Sequence, residues 1–452
     1  MKRRLASLVH HPMATAITLL LLLLIPASCS KDQPPIAPNH VETGTKSAPS
    51  ASAPLTSEGV VYLDNLSHLS SVTNDFDLLS TLPMPAVGTY PSSYYCLVKT
   101  EDGSSFVDKA MEKDLNSAVG VMGWEANELI QSPMDDLTGG DRDGLTFDDG
   151  HSSRTSSDYT NQPAFAQVHL MDARTVSEGY GSVIAILDTG IDAAHPLFQS
   201  AHIIHAGNYT TVPPTGGNLD QPASSTDNTD DDGDGYVNDG VGHGTFVAGL
   251  LYTGARQATI RVYKVLDDEG LGSTWGLAKA IRAARLAGVH IINCSLGFTD
   301  GLGNTMVEHV IADALSQGIV IVASAGNTNS DEPQYPASYP GVISVTAVGP
   351  DDIRFPRGSY GSTVAITAPG VDVVSAISSY YGTNKYAATS GSSAAAPWVS
   401  AAIAVTRVGR SVSTAVAAGF VIDTKDAVPV QTPQVPGRVN MGAAAGYTPP
   451  EP

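Results

Sequence analysis

From Pro163 onward, short apolar runs alternate with longer stretches in which apolar residues recur every three or four positions. The runs lie at 183–187, within 259–266, and at 289–292, 319–323 and 342–348. Each has the length of a strand and is apolar on both of its faces. The stretch 276–287 puts Leu277, Ile281 and Ala284 on one helical face and stops at Gly288. The stretch 306–315 is a second amphipathic helix, stopped at Gly318. Glycine just past the last periodic residue is a helix-ending signal. Strands alternating with helices are βαβ units, so the pattern predicts an α/β fold with a mainly parallel sheet covered on both faces. Upstream, Tyr95-Cys96-Leu97-Val98 predicts a strand, 105–115 a short helix and 119–124 another strand, together a small α+β module.

The remaining segments lack periodicity. Residues 30–58 are rich in Pro, Ser, Ala and Thr and predict a flexible linker. Residues 134–161 carry Asp135, Asp136, Asp141, Asp143, Asp148 and Asp149 among Gly and Ser, which predicts a polar linker without helix or strand. The N-terminus has Lys2, Arg3 and Arg4, then an apolar stretch densest from Leu19 to Ile25, then Ala27 and Ser28. That order is an export signal, and the apolar run is too short to favour a membrane-spanning helix. Small residues ahead of Cys29 also resemble a bacterial lipoprotein cleavage site, so a lipid anchor at Cys29 and simple secretion both stand. The expected divisions are 1–28 signal, 29–58 linker, 59–133 module, 134–162 acidic linker, 163–447 α/β domain and 448–452 tail.

Composition narrows the classes. Among 452 residues, 24 Lys plus Arg face 45 Asp plus Glu, a formal net charge of -21. Such a balance excludes sequence-independent nucleic-acid binding, which needs a basic face. Three cysteines, Cys29, Cys96 and Cys294, are too few for a disulfide scaffold or a multi-cysteine zinc site.

Ligands of open α/β sheets bind beyond the carboxyl ends of the strands, so the residues after each run carry the candidate chemistry. Asp188-Thr189-Gly190 follows the run 183–187. A carboxylate held at a strand end suits the orientation of a histidine, although a helix cap or turn also uses this residue type. Aspartic proteases need two copies of the tripeptide, and the chain has one. Gly242-His243-Gly244-Thr245 opens an apolar helical stretch, which makes His243 the strongest candidate among twelve histidines. Ser393 precedes Ala394-Ala395-Ala396-Pro397 and a helix through Ala401, Ala402 and Val405. Free N–H groups at such a helix start suit a developing oxyanion, and a plain N-cap is the competing role.

The order Asp188, His243, Ser393 is one known order of a Ser-His-Asp triad. The surrounding text resembles the subtilisin-like serine proteases, the subtilases or peptidase S8 family. The Asp motif matches through Ile186-Leu187-Asp188-Thr189-Gly190-Ile191-Asp192 and His195-Pro196, the His motif through Gly242-His243-Gly244-Thr245 and Val247-Ala248-Gly249. The Ser motif matches at Gly391, Ser393, Ala395 and Pro397; the family's Pro, four residues after the nucleophile, selects Ser393 over Ser392. Ala323-Ser324-Ala325-Gly326-Asn327 matches where the family places its oxyanion Asn, which implies that role for Asn327. Gly270-Leu271-Gly272, Ser295-Leu296-Gly297 and Ala325-Gly326 resemble its substrate walls, which accept a peptide as an added antiparallel strand. The resemblance covers about 167–446 and implies the subtilisin-like three-layer fold. Phe246, Ser392, Ala394 and Trp398 stand where the family usually has His, Thr, Met and His, and none is a triad position.

Two further segments gain meaning. Asp230, Asp232 and Asp234 with Gly235 have the alternating spacing of a Ca²⁺ loop, without the Glu that would complete an EF-hand. The family's use of structural Ca²⁺ favours a cation there over a solvated acidic loop, and no cofactor is expected for catalysis. The module 59–133 sits where subtilases carry a propeptide, and Trp124-Glu125-Ala126-Asn127 is similar to the usual propeptide ending. An inhibitory, self-removed propeptide and a permanent accessory domain are the alternatives. Cys96 and Cys294 are expected to be free, because a bond between them would block release. The expected function is an exported, monomeric serine endopeptidase acting on peptides or proteins, secreted or anchored at the cell envelope. Its alternative is a catalytically inactive subtilase scaffold that binds peptides or proteins at the cell surface.

Overall fold

The computed structural model describes residues 57–73, 75–132, 154–210, 242–267, 270–299, 304–378 and 386–449. The export signal, Cys29, the linker 30–56, most of the acidic linker and Asp230, Asp232 and Asp234 lie outside the described residues.

The central sheet has seven strands: β6 (Val183–Asp188), β7 (His202–Asn208), β8 (Thr259–Lys264), β10 (Ile291–Cys294), β11 (Val320–Ser324), β12 (Ile343–Val348) and β13 (Val364–Pro369). Their order is β13-β12-β11-β10-β6-β8-β7, and all the pairings are parallel. Alternate residues of each strand enter different cores, which explains the continuous apolar runs. Ile184, Ile186, Ile260, Val262, Val320 and Val322 point to one face, with α4 (Leu170–Val176), α5 (His243–Gly254), α8 (Ser392–Gly409), α9 (Thr414–Asp423) and α10 (Met441–Ala445). Ala185, Leu187, Tyr263, Ile292, Cys294 and Ile321 point to the other, with α6 (Thr274–Leu286) and α7 (Thr305–Ser316). This is the expected three-layer arrangement, and it brings the starts of α5 and α8 to the carboxyl ends of the strands.

The first face is closed by small residues. α8 is buried from Ser392 through Thr406. A Cβ on Gly254 of α5 would lie 2.4 Å from the Ala401 Cβ, so the two helices approach to backbone contact. Trp398, at an unusual position for a bulky ring, is accommodated edge-on against Phe165 of α3 (Pro163–Gln167), 6.0 Å between centroids at 72°.

Element limits differ from the sequence expectation by up to three residues. The strand expected at 289–292 is Ile291–Cys294, because the Val289 N–H is used on the Ala284 carbonyl to end α6. Burial alone does not separate a helix's last turn from the next strand. The helix expected at 105–115 is α1 (Phe106–Glu112) followed by a 3-10 turn Leu115–Ser117.

One helix falls inside the expected acidic linker. α2 (Ser156–Thr160) begins at a capping box between Thr155 and Asp158. Its Tyr159 is buried with Val374 and Ala388 and hydrogen-bonds Thr253. Val374 and Ala388 belong to a hairpin of β14 (Val373–Ala376) and β15 (Tyr386–Thr389).

The N-terminal module is an antiparallel sheet of β1 (Glu58–Leu63), β2 (Phe76–Met84), β3 (Ser93–Thr100) and β4 (Val121–Ala126), ordered β2-β3-β1-β4. Val61, Leu63, Phe76, Cys96 and Val98 form its own core with Phe106 and Ala110 of α1. Val60, Leu82, Met84, Tyr95 and Leu97, on the opposite face, join the core of α6 and α7. After β4 the chain leaves this sheet as β5 (Leu129–Gln131), which pairs antiparallel with β9 (Leu271–Ser273) of the α/β domain.

Candidate active site

Asp188 ends β6 between its neighbours β8 and β10, fully buried. Its Oδ1 accepts from the Thr189 N–H at 2.8 Å and from His243 Nδ1 at 2.7 Å. A carboxylate can only accept, so Nδ1 carries the imidazole proton and Nε2 is left to take another. His243 is the first residue of α5, behind Gly242 at φ 100. The two motifs interlock around this contact. The Gly244 N–H donates to Thr189 Oγ1 at 3.1 Å, and the Asp192 N–H donates to Thr245 Oγ1 at 2.9 Å. A Cβ on Gly244 would stand 2.0 Å from the Gly190 carbonyl oxygen and 3.1 Å from Asp188 Oδ1, so only glycine lets the imidazole reach the carboxylate.

Ser393 is the second residue of α8, where backbone N–H groups have no partner within the helix. Pro397, four residues on, has no N–H to give the Ser393 carbonyl. Ser295 supplies it instead: its Oγ donates to that carbonyl at 3.1 Å. Ser295 Oγ accepts from Asn293 Nδ2 at 3.1 Å, and Asn293 Oδ1 accepts from Ser400 Oγ at 2.8 Å. The Ser393 backbone is thus tied to β10 by a buried polar chain. The Ser393 hydroxyl itself donates to the Ser295 carbonyl at 3.5 Å. Among the described residues it makes no hydrogen bond to His243.

Asn327 follows β11. Its Oδ1 accepts from the Ser392 N–H at 2.9 Å, which leaves Nδ2 as the donor end of the side chain. Nδ2 lies 2.9 Å from where a Gly391 Cβ would be, beside the start of α8. Ser392, the residue that replaces the family's usual Thr, accepts from the Gly326 N–H through Oγ at 3.1 Å. Ser392 therefore couples Asn327 and Gly326 to the start of α8 through both of its polar groups.

The expected substrate walls are already occupied by the chain itself. Gln131 and Gly297 exchange both backbone bonds, Gln131 N–H to Gly297 O at 2.9 Å and the reverse at 2.7 Å. The Ser132 N–H donates to the Gly270 carbonyl at 3.1 Å, and Ile130 faces Gly272, Gln131 faces Leu271. Ile130 is fully buried, its Cγ1 in contact with the Gly272 position beside Leu266. Leu296 is buried behind Gly297. Ala325 donates its N–H to the Val345 carbonyl at 2.8 Å, which ties the segment just before Asn327 to β12. Of the predicted set, Gly270, Leu271, Gly272 and Gly297 meet the inserted strand, while Ser295 and Gly326 brace the start of α8.

Sequence reasoning missed Asn293 and Ser400, and the contacts that Glu125 and Asn127 of the module make with the α/β domain. Glu125 accepts from the first amides of α7, Thr305 N–H at 3.0 Å and Met306 N–H at 3.2 Å. Asn127 Oδ1 accepts from the Trp275 N–H at 3.1 Å, in the first turn of α6. Both belong to the tetrapeptide 124–127 already noted for its resemblance to a propeptide ending. Neither cysteine competes for chemistry. Cys96 and Cys294 are free and buried; burial pushes the Cys96 thiol up to about 11, and burial together with the Asp188 charge pushes Cys294 higher still.

Comparison with known proteins decides the family. The subtilase family profile, peptidase S8, matches residues 179–435. The chain belongs to the subtilase family. This subtilase is 32% identical over 293 residues to thermitase from Thermoactinomyces vulgaris, covering 62% of the chain and 94% of that protein. It is 34% identical over 241 residues to subtilisin DY from Bacillus licheniformis, covering 50% of the chain and 77% of that protein. It spans 57% of a thermostable alkaline protease from Halalkalibacterium halodurans, at 34% identity. Among solved structures, fervidolysin from Fervidobacterium pennivorans, described as a keratinolytic enzyme related to subtilisin, superimposes with a TM-score of 0.64 at 21% identity. That match covers 87% of this chain and 61% of fervidolysin and shows the shared fold. The subtilase is a serine-type endopeptidase. No helix among the described residues is long and apolar enough to cross a membrane.

Proposed function

We propose that this subtilase is an exported zymogen that hydrolyses peptide bonds through Asp188, His243 and Ser393, and that its own N-terminal module is its first substrate and inhibitor. The observation that carries the reading is the strand Leu129–Gln131, held antiparallel to β9 and bridged by Gln131 to Gly297. Two residues back along the same wall from Gly297 is Ser295, whose carbonyl lies 3.5 Å from Ser393 Oγ. The inserted strand therefore runs toward the nucleophile, in the manner of a bound peptide.

In the proposed reaction Ser393 Oγ attacks the peptide carbonyl while His243 Nε2 takes its proton. His243 then passes that proton to the leaving amine, and water hydrolyses the acyl-enzyme by the same steps in reverse roles. Asp188 holds the Nδ1–H tautomer and stabilises the charged ring. Asn327 Nδ2 and the Ser393 N–H receive the oxyanion, and loss of the side-chain donor would cost about 3 kcal/mol of barrier. The buried chain from Ser400 to Ser295 keeps Ser393 from shifting as charge develops.

Two measurements test this. A fluorophosphonate probe should label Ser393, with labelling lost in His243→Ala; an unlabelled, folded, module-free protein would mean an inactive scaffold. Ser393→Ala, exported in a protease-free host, should accumulate the uncut chain, and normal trimming of that variant would refute self-processing. Export itself rests on the N-terminal signal read in the sequence, and lipidation on Cys29. Structural Ca²⁺ rests on the spacing of Asp230, Asp232 and Asp234. A melting temperature lowered by EGTA is expected, and an unchanged melting curve removes the calcium assignment.

A further inference from the structure

One buried imidazole of the α/β domain takes both its hydrogen-bond partners from the N-terminal module. His309, on α7, is 0% exposed. Its Nε2 is 2.9 Å from the Pro85 carbonyl and its Nδ1 is 2.8 Å from the Tyr95 hydroxyl. Tyr90 stacks on the ring at 4.8 Å and 15°, and Tyr95 meets it edge-on at 5.7 Å. A carbonyl only accepts, so Nε2 carries the proton; Nδ1 is then bare and Tyr95 donates to it. Protonation of Nδ1 would set two donors against each other unless the phenol turned.

The charged neighbours offer little relief. Arg282 of α6 repels a cation at His309, whereas Asp313 of α7 attracts one. Asp313 is already engaged, 3.1 Å from Arg285 and 3.8 Å from Arg282. Glu308, beside His309 on α7, interacts with the Tyr90 hydroxyl, and Glu125 of β4 is spent on the first amides of α7. Burial dominates and holds His309 below its ordinary value near 6.5, only partly opposed by the Pro85 carbonyl and Asp313.

We propose that His309 is a pH-sensitive latch between the module and α7, closed when the ring is neutral and loosened by acid. The proposal rests on the zymogen reading, since loosening the module frees the cleft. The sign follows from linkage. With the module gone, the ring loses its cover and titrates near pH 6.5. Docking lowers that value, so docking expels a proton from any chain protonated beforehand. Docking is at full strength above about pH 6.5, weakens as the pH falls below that, and levels off below the docked value. Acid therefore favours release.

The test uses the full-length Ser393→Ala chain, which stays uncut. Hydrogen exchange at Ile130, Gln131 and Ser132, corrected for intrinsic rates, reports how often the inserted strand leaves the cleft. Protection should fall about fivefold or more between pH 7.5 and pH 5.5, the size of an ordinary coupling between sites. His309→Gln keeps a donor for Pro85 but cannot charge, and should abolish the fall. Equal protection at both pH values, or an unchanged fall in His309→Gln, overturns the latch. If His309→Gln is already unprotected at pH 7.5, Tyr95→Phe decides. Loss of the donor to Nδ1 lets the docked ring protonate more readily, so the fall must shrink, and an unchanged fall overturns the proposal. Cleavage is read separately, from the mass of the wild-type chain; an uncut wild type would refute self-processing while leaving the latch to these exchange data.

Discussion

The two faces of the parallel sheet are closed by different means. The face of α5 and α8 is finished by the α/β domain alone, through small side chains such as Ala401 against Gly254, and it carries His243 and Ser393 at the helix starts. The face of α6 and α7 is finished by a second body. Val60, Leu82, Met84, Tyr95, Leu97 and Ile130 of the module join its core, and Glu125 and Asn127 serve the amides of both helices. On the proposed zymogen reading, the difference separates permanent geometry from removable cover. On that reading the proposed chemistry sits on the face that cannot open without unfolding, and the proposed inhibition on the face that can. The helices of the removable face keep caps of their own, Ser273 for α6 and Asn304 for α7, so they do not depend on the module to begin.

A matched pair of substitutions tests this separation, both made in the uncut Ser393→Ala chain. Ala401→Leu forces extra methyl groups between α5 and α8, where a Cβ on Gly254 would already clash. Overpacking of this kind costs about 3 kcal/mol. The main unfolding transition of the α/β domain should drop in denaturant, with the inserted strand as protected as before until the domain itself unfolds. Ile130→Ala removes a fully buried side chain from the interface and should cost about 2 kcal/mol of docking. Protection at Gln131 and Ser132 should then fall, with the main unfolding transition unmoved. A main transition lowered by Ile130→Ala as much as by Ala401→Leu would mean that the module is an integral layer of the fold.

The same division explains what the amino-acid text made legible. Asp188, His243, Ser393 and Asn327 were readable because their geometry is dictated locally, by glycines that admit close approach and by Pro397, which frees the Ser393 carbonyl. The alternation of strands and helices was readable because parallel strands buried on both faces are apolar throughout. The relay Ser400–Asn293–Ser295 was not, since it joins common polar residues far apart in the chain and no local signal marks it. α2 was missed although its capping residues, Thr155 and Asp158, were in view; the acidic surroundings outweighed a helix of one turn. The docking face of the module did leave a trace. Tyr95-Cys96-Leu97-Val98 is apolar at every position, yet an antiparallel sheet with one wet face alternates. Four apolar residues in succession meant that both faces were covered, one by α1 and one by the α/β domain.

The smallest effect separates charge from shape at the removable face. Glu125 reaches α7 with both carboxylate oxygens, one on the Thr305 N–H and one on the Met306 N–H. Two causes act together there: hydrogen bonds to amides that lack helical partners, and the attraction of a negative charge to the helix's positive end. Glu125→Gln keeps one acceptor and the shape of the side chain but removes the charge and one of the two bonds. The expected cost is about 1 kcal/mol of docking, read as a roughly fivefold loss of protection at Gln131 and Ser132. Added salt should weaken docking of the wild-type strand and affect the Gln variant less, because only the charge is screened. Equal salt dependence in the two chains would assign the contact to shape and hydrogen bonding alone, and would leave the apolar residues of β1, β2 and β3 as the main source of docking energy.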